Sequence, residues 1–281
     1  MLKGENMDVM ELIKDAFVFP SKNIKNLLIY ELLAIVAGIF SLGGTVTYFL
    51  GVLNPELFMW GGIACIISML IGWVLSGYLI SVIKSGIDLD DKVPEFEWWE
   101  NFTTGFDNFI VTIVYFVIPA FIVVVVGYLT NIFGNVMLVA QELFLQVNTA
   151  YMGNTTFLVT DTLSQAMVNL AISLATTLTV AVVVFVIFSF FQLMAESRLA
   201  NTGSLMEALN IFEAAKDIGR IGIGKVIIVV LLVLIIVAII EFVLSAIFSI
   251  LPILSILSII ITPYLLFFVE RAVGLLYSDI A

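Results

Sequence analysis

Long apolar runs separated by short polar segments form the main pattern of this chain. A helix needs about 20 predominantly apolar residues to cross about 30 Å of hydrocarbon. Runs of that length occupy residues 27–52, 59–83, 109–130, 166–194, 226–249 and 253–276. Asn54-Pro55-Glu56 separates the first two runs as a turn, and Pro252 separates the last two. The pattern predicts an all-α integral membrane protein with six transmembrane helices.

A polar segment with helical periodicity precedes each odd-numbered span, at residues 8–19, 95–109 and 204–217. The third opens with Ser204 and Glu207 at the spacing of a capping box. We expect each segment to form a short cytoplasmic interfacial helix ahead of a transmembrane hairpin. Their polar faces are net acidic, unlike those of lipid-seeking helices. We therefore expect their apolar faces to pack on the ends of the spans or to hold a partner.

The order of interfacial helix and hairpin recurs three times. It predicts repeat-like units at about residues 8–84, 95–200 and 204–277 within a single membrane domain, 1–281. Residue identity between the units is poor, so ordinary amphipathic loops are the alternative interpretation. Between the third and fourth spans, residues 131–165 form a sizeable external segment, with a short helix expected near 136–147 and a glycosylation-type triplet, Asn154-Thr155-Thr156.

The basic residues predict the orientation. With six spans, all eleven fall on the side of the N-terminus: Lys3, Lys14, Lys22, Lys25, Lys84, Lys92, Arg198, Lys216, Arg220, Lys225 and Arg271. The opposite segments, 53–58, 131–165 and 250–252, contain neither Lys nor Arg. The positive-inside rule then places both termini in the cytoplasm.

Composition narrows the function classes. The chain is 62% hydrophobic and 12% charged, against about 45–50% and about 25% in soluble domains. A net charge of −11 leaves no basic footprint for nucleic acid. Histidine is absent and Cys65 is the single cysteine, so the commonest general base and metal ligand are missing. We predict no catalytic, cofactor or metal site.

Two carboxylates within the spans are candidate functional residues, because an ionisable group in hydrocarbon is costly. Glu31 lies about one turn inside the first span, where it could reach Lys25 or other polar groups at the membrane edge. Glu241 lies about 24 Å along the fifth helix from Lys225, at about 1.5 Å per residue. It is either a protonated acid that bonds a neighbouring span or a proton or cation site.

Other candidates lie at the cytoplasmic edge. Arg198 and Arg271 could bind a lipid phosphate or a partner carboxylate, but we favour local ion pairs with the adjacent acids, Glu196 and Glu270. Trp99 is expected to belong to an interfacial aromatic belt. The acidic loop at residues 88–91 is interpreted as a solvated charge run that offers an acidic surface to a basic partner.

Short motifs along most of the chain resemble a known family. They are Ala16…Phe19-Pro20, Gly77-Tyr78, Gly86, Pro94-x-Phe96-x-x-Trp99 before Gly105, and Ala195…Arg198-Leu-Ala-x-x-Gly203-x-Leu-x-x-Ala208. In this order and spacing they resemble the DUF4013 family of uncharacterised, mostly archaeal, multi-pass membrane proteins. Family members often carry Trp where this chain has Phe96. The resemblance implies an archaeal plasma-membrane protein and carries over no activity.

Our leading functional hypothesis is a non-enzymatic membrane protein that organises partner proteins or lipids through its interfacial helices. Its expected partners are the lipid bilayer and a membrane or cytoplasmic protein, not nucleic acid. The alternative is a small transporter or permease subunit with Glu241 as its intramembrane carboxylate. An intramembrane enzyme is the third hypothesis, but the spans do not offer carboxylates at one depth.

Overall fold

The computed structural model describes residues 7–153 and 160–281. Over these residues the chain is helical, without strands. The helices are α1 (Val9–Val18), α2 (Ile24–Leu50), α3 (Glu56–Ile87), α4 (Trp98–Leu129), α5 (Ile132–Met152), α6 (Asp161–Thr202), α7 (Leu205–Ala208), α8 (Ile211–Ile221), α9 (Ile223–Ile250) and α10 (Ser258–Tyr277). Two 3₁₀ turns, Phe19–Lys22 and Pro252–Leu257, precede α2 and α10. Lys3 and the triplet Asn154-Thr155-Thr156 lie outside the described residues.

The prediction of six spans is confirmed. Among the described residues, α2, α3, α4, α6, α9 and the segment Pro252–Tyr277 are long and apolar enough to cross a membrane. The largest difference from the predicted bounds is α6, which has 42 residues. It continues to Thr202 because Gly203, with φ +64°, is the first residue suited to ending it. The amide of Gly203 donates to the carbonyl of Leu199 there.

The short helices differ from the prediction in two places. Residues 98–109 are not a separate helix but the first turns of α4, because no turn signal interrupts the helical sequence there. The segment at 204–217 is divided between α7 and α8, since the side chain of Asn210 accepts from the amide of Glu213 and starts a new helix. The external helix expected near 136–147 is part of the longer α5.

Packing contacts divide the chain into two compact units, which differ from the predicted repeat-like units. The first contains the chain up to Thr112 together with Phe191–Ala281, and the second contains Ile113–Phe190. In the second, the hydroxyls of Thr130 and Thr177 are 2.9 Å apart. The amide of Asn135 donates to Ser173, and Phe116 packs on Phe185. The end of α4, the start of α5 and the first half of α6 thus share a few polar contacts within an apolar environment.

The core of the first unit lies where α10 packs on α2 and α3. It is built from Phe19, Leu27, Tyr30, Leu75, Tyr78, Val82, Val93 and Phe267. The helices approach closely because glycines face each other: a Cβ on Gly274 would overlap the carbonyl of Ile83 and the backbone of Gly86. A similar crossing joins α3 and α4, where Gly77 and Gly105 lie against each other's helix backbone. These crossings fix the ends of α3, α4 and α10 relative to one another.

Candidate functional site

Ion pairs are concentrated at one end of the first unit, where the last turns of α3, α6 and α10 meet α1, α8 and the start of α9. We call this cluster the polar layer. Its members are Asp15, Lys22, Asp91, Arg198, Glu207, Asp217, Arg220, Lys225, Arg271 and Asp279. The basic residues among them belong to the group that the sequence placed on one side of the membrane.

Arg271, which is only 1% exposed, joins four segments of the polar layer. Its Nη2 and Nε donate to Asp15 Oδ2 of α1, at 2.9 and 3.2 Å. Its Nη1 donates to the carbonyl of Asp90 at 2.7 Å and to Ser85 Oγ of α3 at 3.3 Å. The guanidinium also lies over the ring of Phe19, 4.3 Å from its centroid. The guanidinium is therefore surrounded by partners from its own chain.

Arg198, at the end of α6, likewise joins several segments of the polar layer. Its Nη1 donates to Asp217 Oδ2 at 2.8 Å, and its Nη2 donates to the carboxylate of Glu207. Asp217 is 1% exposed and also accepts from the hydroxyl of Tyr277 and from Arg220. The network therefore ties α7 and α8 to the ends of α6 and α10.

The favoured local ion pairs are wrong for both arginines, whose carboxylate partners are distant in the chain. Residues one or two positions apart on a helix point in different directions, so Arg198 does not face Glu196 and Arg271 does not face Glu270. Glu196 instead accepts from Gln192, four residues earlier, at 2.8 Å. A lipid phosphate, the alternative ligand, would have to compete for each guanidinium with the protein acceptors that it already binds.

The orientation of α8 bears on two alternatives, since the sequence allowed the apolar face of residues 204–217 either to pack on the ends of the spans or to hold a partner. Phe212 belongs to that apolar face, and Asp217 belongs to the polar face. In the structure Asp217 is buried, whereas Phe212 is 81% exposed and Met206 of α7 is 80% exposed. The reason is the buried guanidinium of Arg198, which needs a carboxylate and so turns the polar face of α8 inward.

The predicted capping box is only half formed. Ser204 Oγ accepts from the amide of Glu207, as in a standard N-cap. The carboxylate of Glu207 does not return to the amide of Ser204, because it binds Arg198. Thr202 Oγ1 accepts from that amide instead, at 3.2 Å. The ion pair thus takes the place of the second capping hydrogen bond.

Two further ion pairs complete the polar layer. Lys225 Nζ donates to Asp279 and to the carbonyl of Met7, linking α9 to both termini of the described chain. Lys22 Nζ donates to Asp91 Oδ1 at 2.8 Å. That hydrogen bond, together with the positive charge of Lys22, lowers the pKa of Asp91 below its ordinary value. The loop at 88–91 is therefore attached to the protein rather than being only a solvated charge run.

The remaining candidates are not part of the polar layer. Glu241 lies exposed on α9 and has no hydrogen bond or ion pair within the described part of the chain. Glu31 is half-buried on α2. Trp99 is 76% exposed and stacks on Phe102, with ring centroids 5.8 Å apart. The structure thus brings Arg198 and Arg271 into one layer and leaves Glu241 far along α9.

Sequence reasoning missed the acids that hold the arginines. Asp15, Glu207 and Asp217 lie on amphipathic segments whose polar faces looked like ordinary solvent-facing surface. Spacing along the chain gave no signal, since Asp15 precedes Arg271 by 256 positions. The signal that was available is the position of Arg198 and Arg271 at the ends of apolar helices. A guanidinium buried there requires acceptors from elsewhere in the fold.

The chain matches a known protein family. The family described as a protein of unknown function, DUF4013, matches residues 60–249. No curated protein and no solved structure matches the chain. The match runs from the second turn of α3 to the last turn of α9 and includes Arg198, Glu207 and Asp217 of the polar layer. By this match, which takes in more than half of its length, the chain belongs to the DUF4013 family.

Proposed function

We propose that the chain is a non-enzymatic protein of the plasma membrane that organises partner proteins or lipids through the short helices of its polar layer. The polar layer and both termini face the cytoplasm in this proposal. The positions of the Lys and Arg residues support that orientation. The lack of histidine and the single cysteine support a role without catalysis.

The observation that carries the proposal is the outward position of Phe212 and Met206. Both side chains are about four-fifths exposed, although they lie on helices that Arg198 anchors through Glu207 and Asp217. Because these ion pairs anchor the backbone of the two helices, binding through the exposed side chains would not have to order that backbone. We infer that this pair of side chains inserts into the membrane interface or into a partner protein.

A site-specific photo-crosslink tests this role. Benzoylphenylalanine at position 212, activated in native membranes, is expected to give one discrete protein adduct or a lipid adduct. The matched control is the same probe at Lys216, an exposed position on the same helix. Equal adducts at both positions, or none at position 212, would contradict the proposal. A protein adduct would identify a partner, and a lipid adduct would identify the membrane interface.

A transporter or permease subunit is the second candidate, and Glu241 is the observation that favours it. This carboxylate lies on a helix long enough to span the membrane and has no partner among the described residues. Such a group is either a site for a proton or cation, or a contact with another protein in the membrane. Only the first of these would make the residue essential for transport.

A further inference from the structure

The second half of α9 is not packed against the rest of the chain. The buried residues of this helix are Val226, Val229 and Val233, which all lie in its first half. None of residues 234–250, which the structure describes throughout, is buried. The helix nevertheless continues to Ile250 and is the most hydrophobic of the six spans in the described chain. Its second half is therefore open to lipid or to another protein.

Glu241 lies on this open surface. It is exposed, and about 24 Å of helix separates it from Lys225 of the polar layer. Since the hydrocarbon core is about 30 Å thick, its side chain lies within hydrocarbon. There a carboxyl group is carried as the neutral acid, with one O–H donor and one carbonyl acceptor. Lipid tails can pair with neither group, and no described residue of the chain does so.

Ser245, one turn further along α9, is a second polar group without a partner. It is exposed, and its hydroxyl forms no hydrogen bond with the described part of the chain. In the same helix the hydroxyl of Ser249 donates to the carbonyl of Ala246 at 2.8 Å, as serines in apolar helices commonly do. Because Glu241 and Ser245 are four positions apart, they share one face of α9. This face thus has two polar groups to satisfy.

The sequence around Glu241 has the spacing of a helix–helix contact. Leu234, Ala238, Glu241 and Ser245 follow one another at intervals of four, three and four residues, and all four are exposed. Two helices that pack in a left-handed coiled coil meet along a seam with this spacing. Ala238 and Ser245 are small, which allows a second helix to approach closely, as is usual in membranes. We call these four residues the Glu241 seam.

The occupant of the seam must offer a donor and an acceptor at the depth of Glu241. A second copy of this chain has no base to offer there, because residues 226–270 contain neither Lys nor Arg. It does offer a second carboxyl group, and two neutral carboxyl groups satisfy each other, since each O–H donates to the carbonyl of the other. In a twofold dimer a residue near the axis faces its own counterpart. The seam is therefore complementary to itself.

We propose that α9 of one copy packs along α9 of a second copy through the Glu241 seam, which forms a parallel twofold dimer in the membrane. The two Glu241 carboxyl groups bond each other across the axis. Ala238 and Ser245 lie on either side of this pair and let the two backbones approach. The inference does not rest on the proposed role of Phe212, because Phe212 lies on α8 and the seam lies in the second half of α9.

Disulfide crosslinking in native membranes tests the contact. Each variant is the full-length chain with Cys65→Ser, which removes its single cysteine, and with one new cysteine. On oxidation, Ala238→Cys and Ser245→Cys in the seam are expected to give a product of twice the mass of the chain. The matched controls are Ile239→Cys and Val243→Cys, which are exposed on the other side of α9 and should give at least fivefold less. Two differently tagged forms are expressed together, so that a dimer of this chain contains both tags.

Self-association of the purified protein tests the carboxyl pair. Energy transfer between labelled copies in liposomes, measured as the lipid content is increased, gives the dissociation constant. Glu241→Leu removes both hydrogen bonds and is expected to raise this constant at least tenfold. Glu241→Gln keeps a donor and an acceptor, so its constant should stay within threefold of the wild-type value. Ile239→Leu, on the other side of the same helix, is the matched control and should have no effect.

Three results would overturn the inference. The first is crosslinking that is equal at the seam and control positions, or absent from both. The second is a crosslinked product that contains a different protein in place of the second tagged copy. The third is unchanged self-association in Glu241→Leu. None of these results depends on adducts formed at position 212, so the dimer and the proposed function can fail separately.

Discussion

The guanidinium of Arg198 and the carboxylate of Asp217 form a buried ion pair, with Nη1 and Oδ2 2.8 Å apart. They are 19 positions apart in the chain, and the pair determines which face of α8 turns inward. Arg271 and Asp15 form the equivalent pair for α1. Each short helix is thus fixed to the long helices by one acid and one arginine.

Removing one member of the first pair should be strongly destabilising. Asp217→Asn leaves the guanidinium of Arg198 without its main acceptor, which we expect to lower the free energy of unfolding by about 3 kcal/mol. Reversible denaturation in mixed micelles measures the change. Lys216→Gln, on the exposed side of the same helix, is the control and should have little effect. An equal loss in both variants would contradict a special role for the ion pair.

The second pair should control the local stability of α1. Asp15→Asn removes the carboxylate that accepts two hydrogen bonds from Arg271. We expect the amides of Val9–Val18 to exchange with solvent about tenfold faster, which corresponds to about 1.4 kcal/mol, while α8 stays unchanged. Hydrogen exchange read by mass spectrometry measures this, with Lys14→Gln as the control. Unchanged exchange in α1 would show that other contacts hold the helix.

The glycine crossing of α3 and α4 gives a test of packing. A Cβ at Gly77 would overlap the carbonyl oxygen of Asn101, whereas a Cβ at Gly72 on the same helix meets nothing within 4 Å. We expect Gly77→Ala to cost about 1–3 kcal/mol by overpacking, and Gly72→Ala to be neutral or slightly stabilising. Thermal unfolding in detergent compares the two. A loss of stability in Gly72→Ala but not in Gly77→Ala would contradict the close approach of α3 and α4.

The hydrogen bond between Lys22 and Asp91 predicts a pH dependence of definite sign. Because Lys22 lowers the pKa of Asp91 in the folded protein, the pair adds stability above the unfolded pKa of about 3.9. That contribution disappears as the pH falls through the lower folded pKa. Wild type should therefore exceed Lys22→Gln in stability by a small margin near pH 6, and the margin should shrink below about pH 4. A stability difference between wild type and Lys22→Gln that grows as the pH falls would contradict the prediction. Lys14→Gln should show no such trend.

Glu241→Gln separates the two functional candidates. Its side chain has no partner among the described residues, so we expect the free energy of unfolding to change by less than about 0.5 kcal/mol. Under the proposed organising role, proton-coupled solute uptake into proteoliposomes should be the same for the variant and the wild type. Uptake by wild type that is lost in Glu241→Gln would favour the transporter.

The apolar runs sufficed to predict the six long helices, because length and hydropathy alone determine whether a segment is able to span a bilayer. They did not predict the continuity of α4 through residues 98–109, since amphipathic periodicity does not show whether one helix runs into the next. The inward face of α8 was unpredictable for a different reason. One buried arginine outweighs the apolar stripe of Phe212, and the position of that arginine is known only after the long helices have packed.

The separation of Asp15 and Arg271 by 256 positions has a consequence for biosynthesis. At about 5–20 residues per second, the ribosome needs roughly 10–50 s to make the intervening chain. Throughout that interval α1 exists without the guanidinium that its carboxylate binds in the finished protein. The translation of α10 thus completes the attachment of α1, and a chain that stops before residue 271 would leave α1 unanchored at this position.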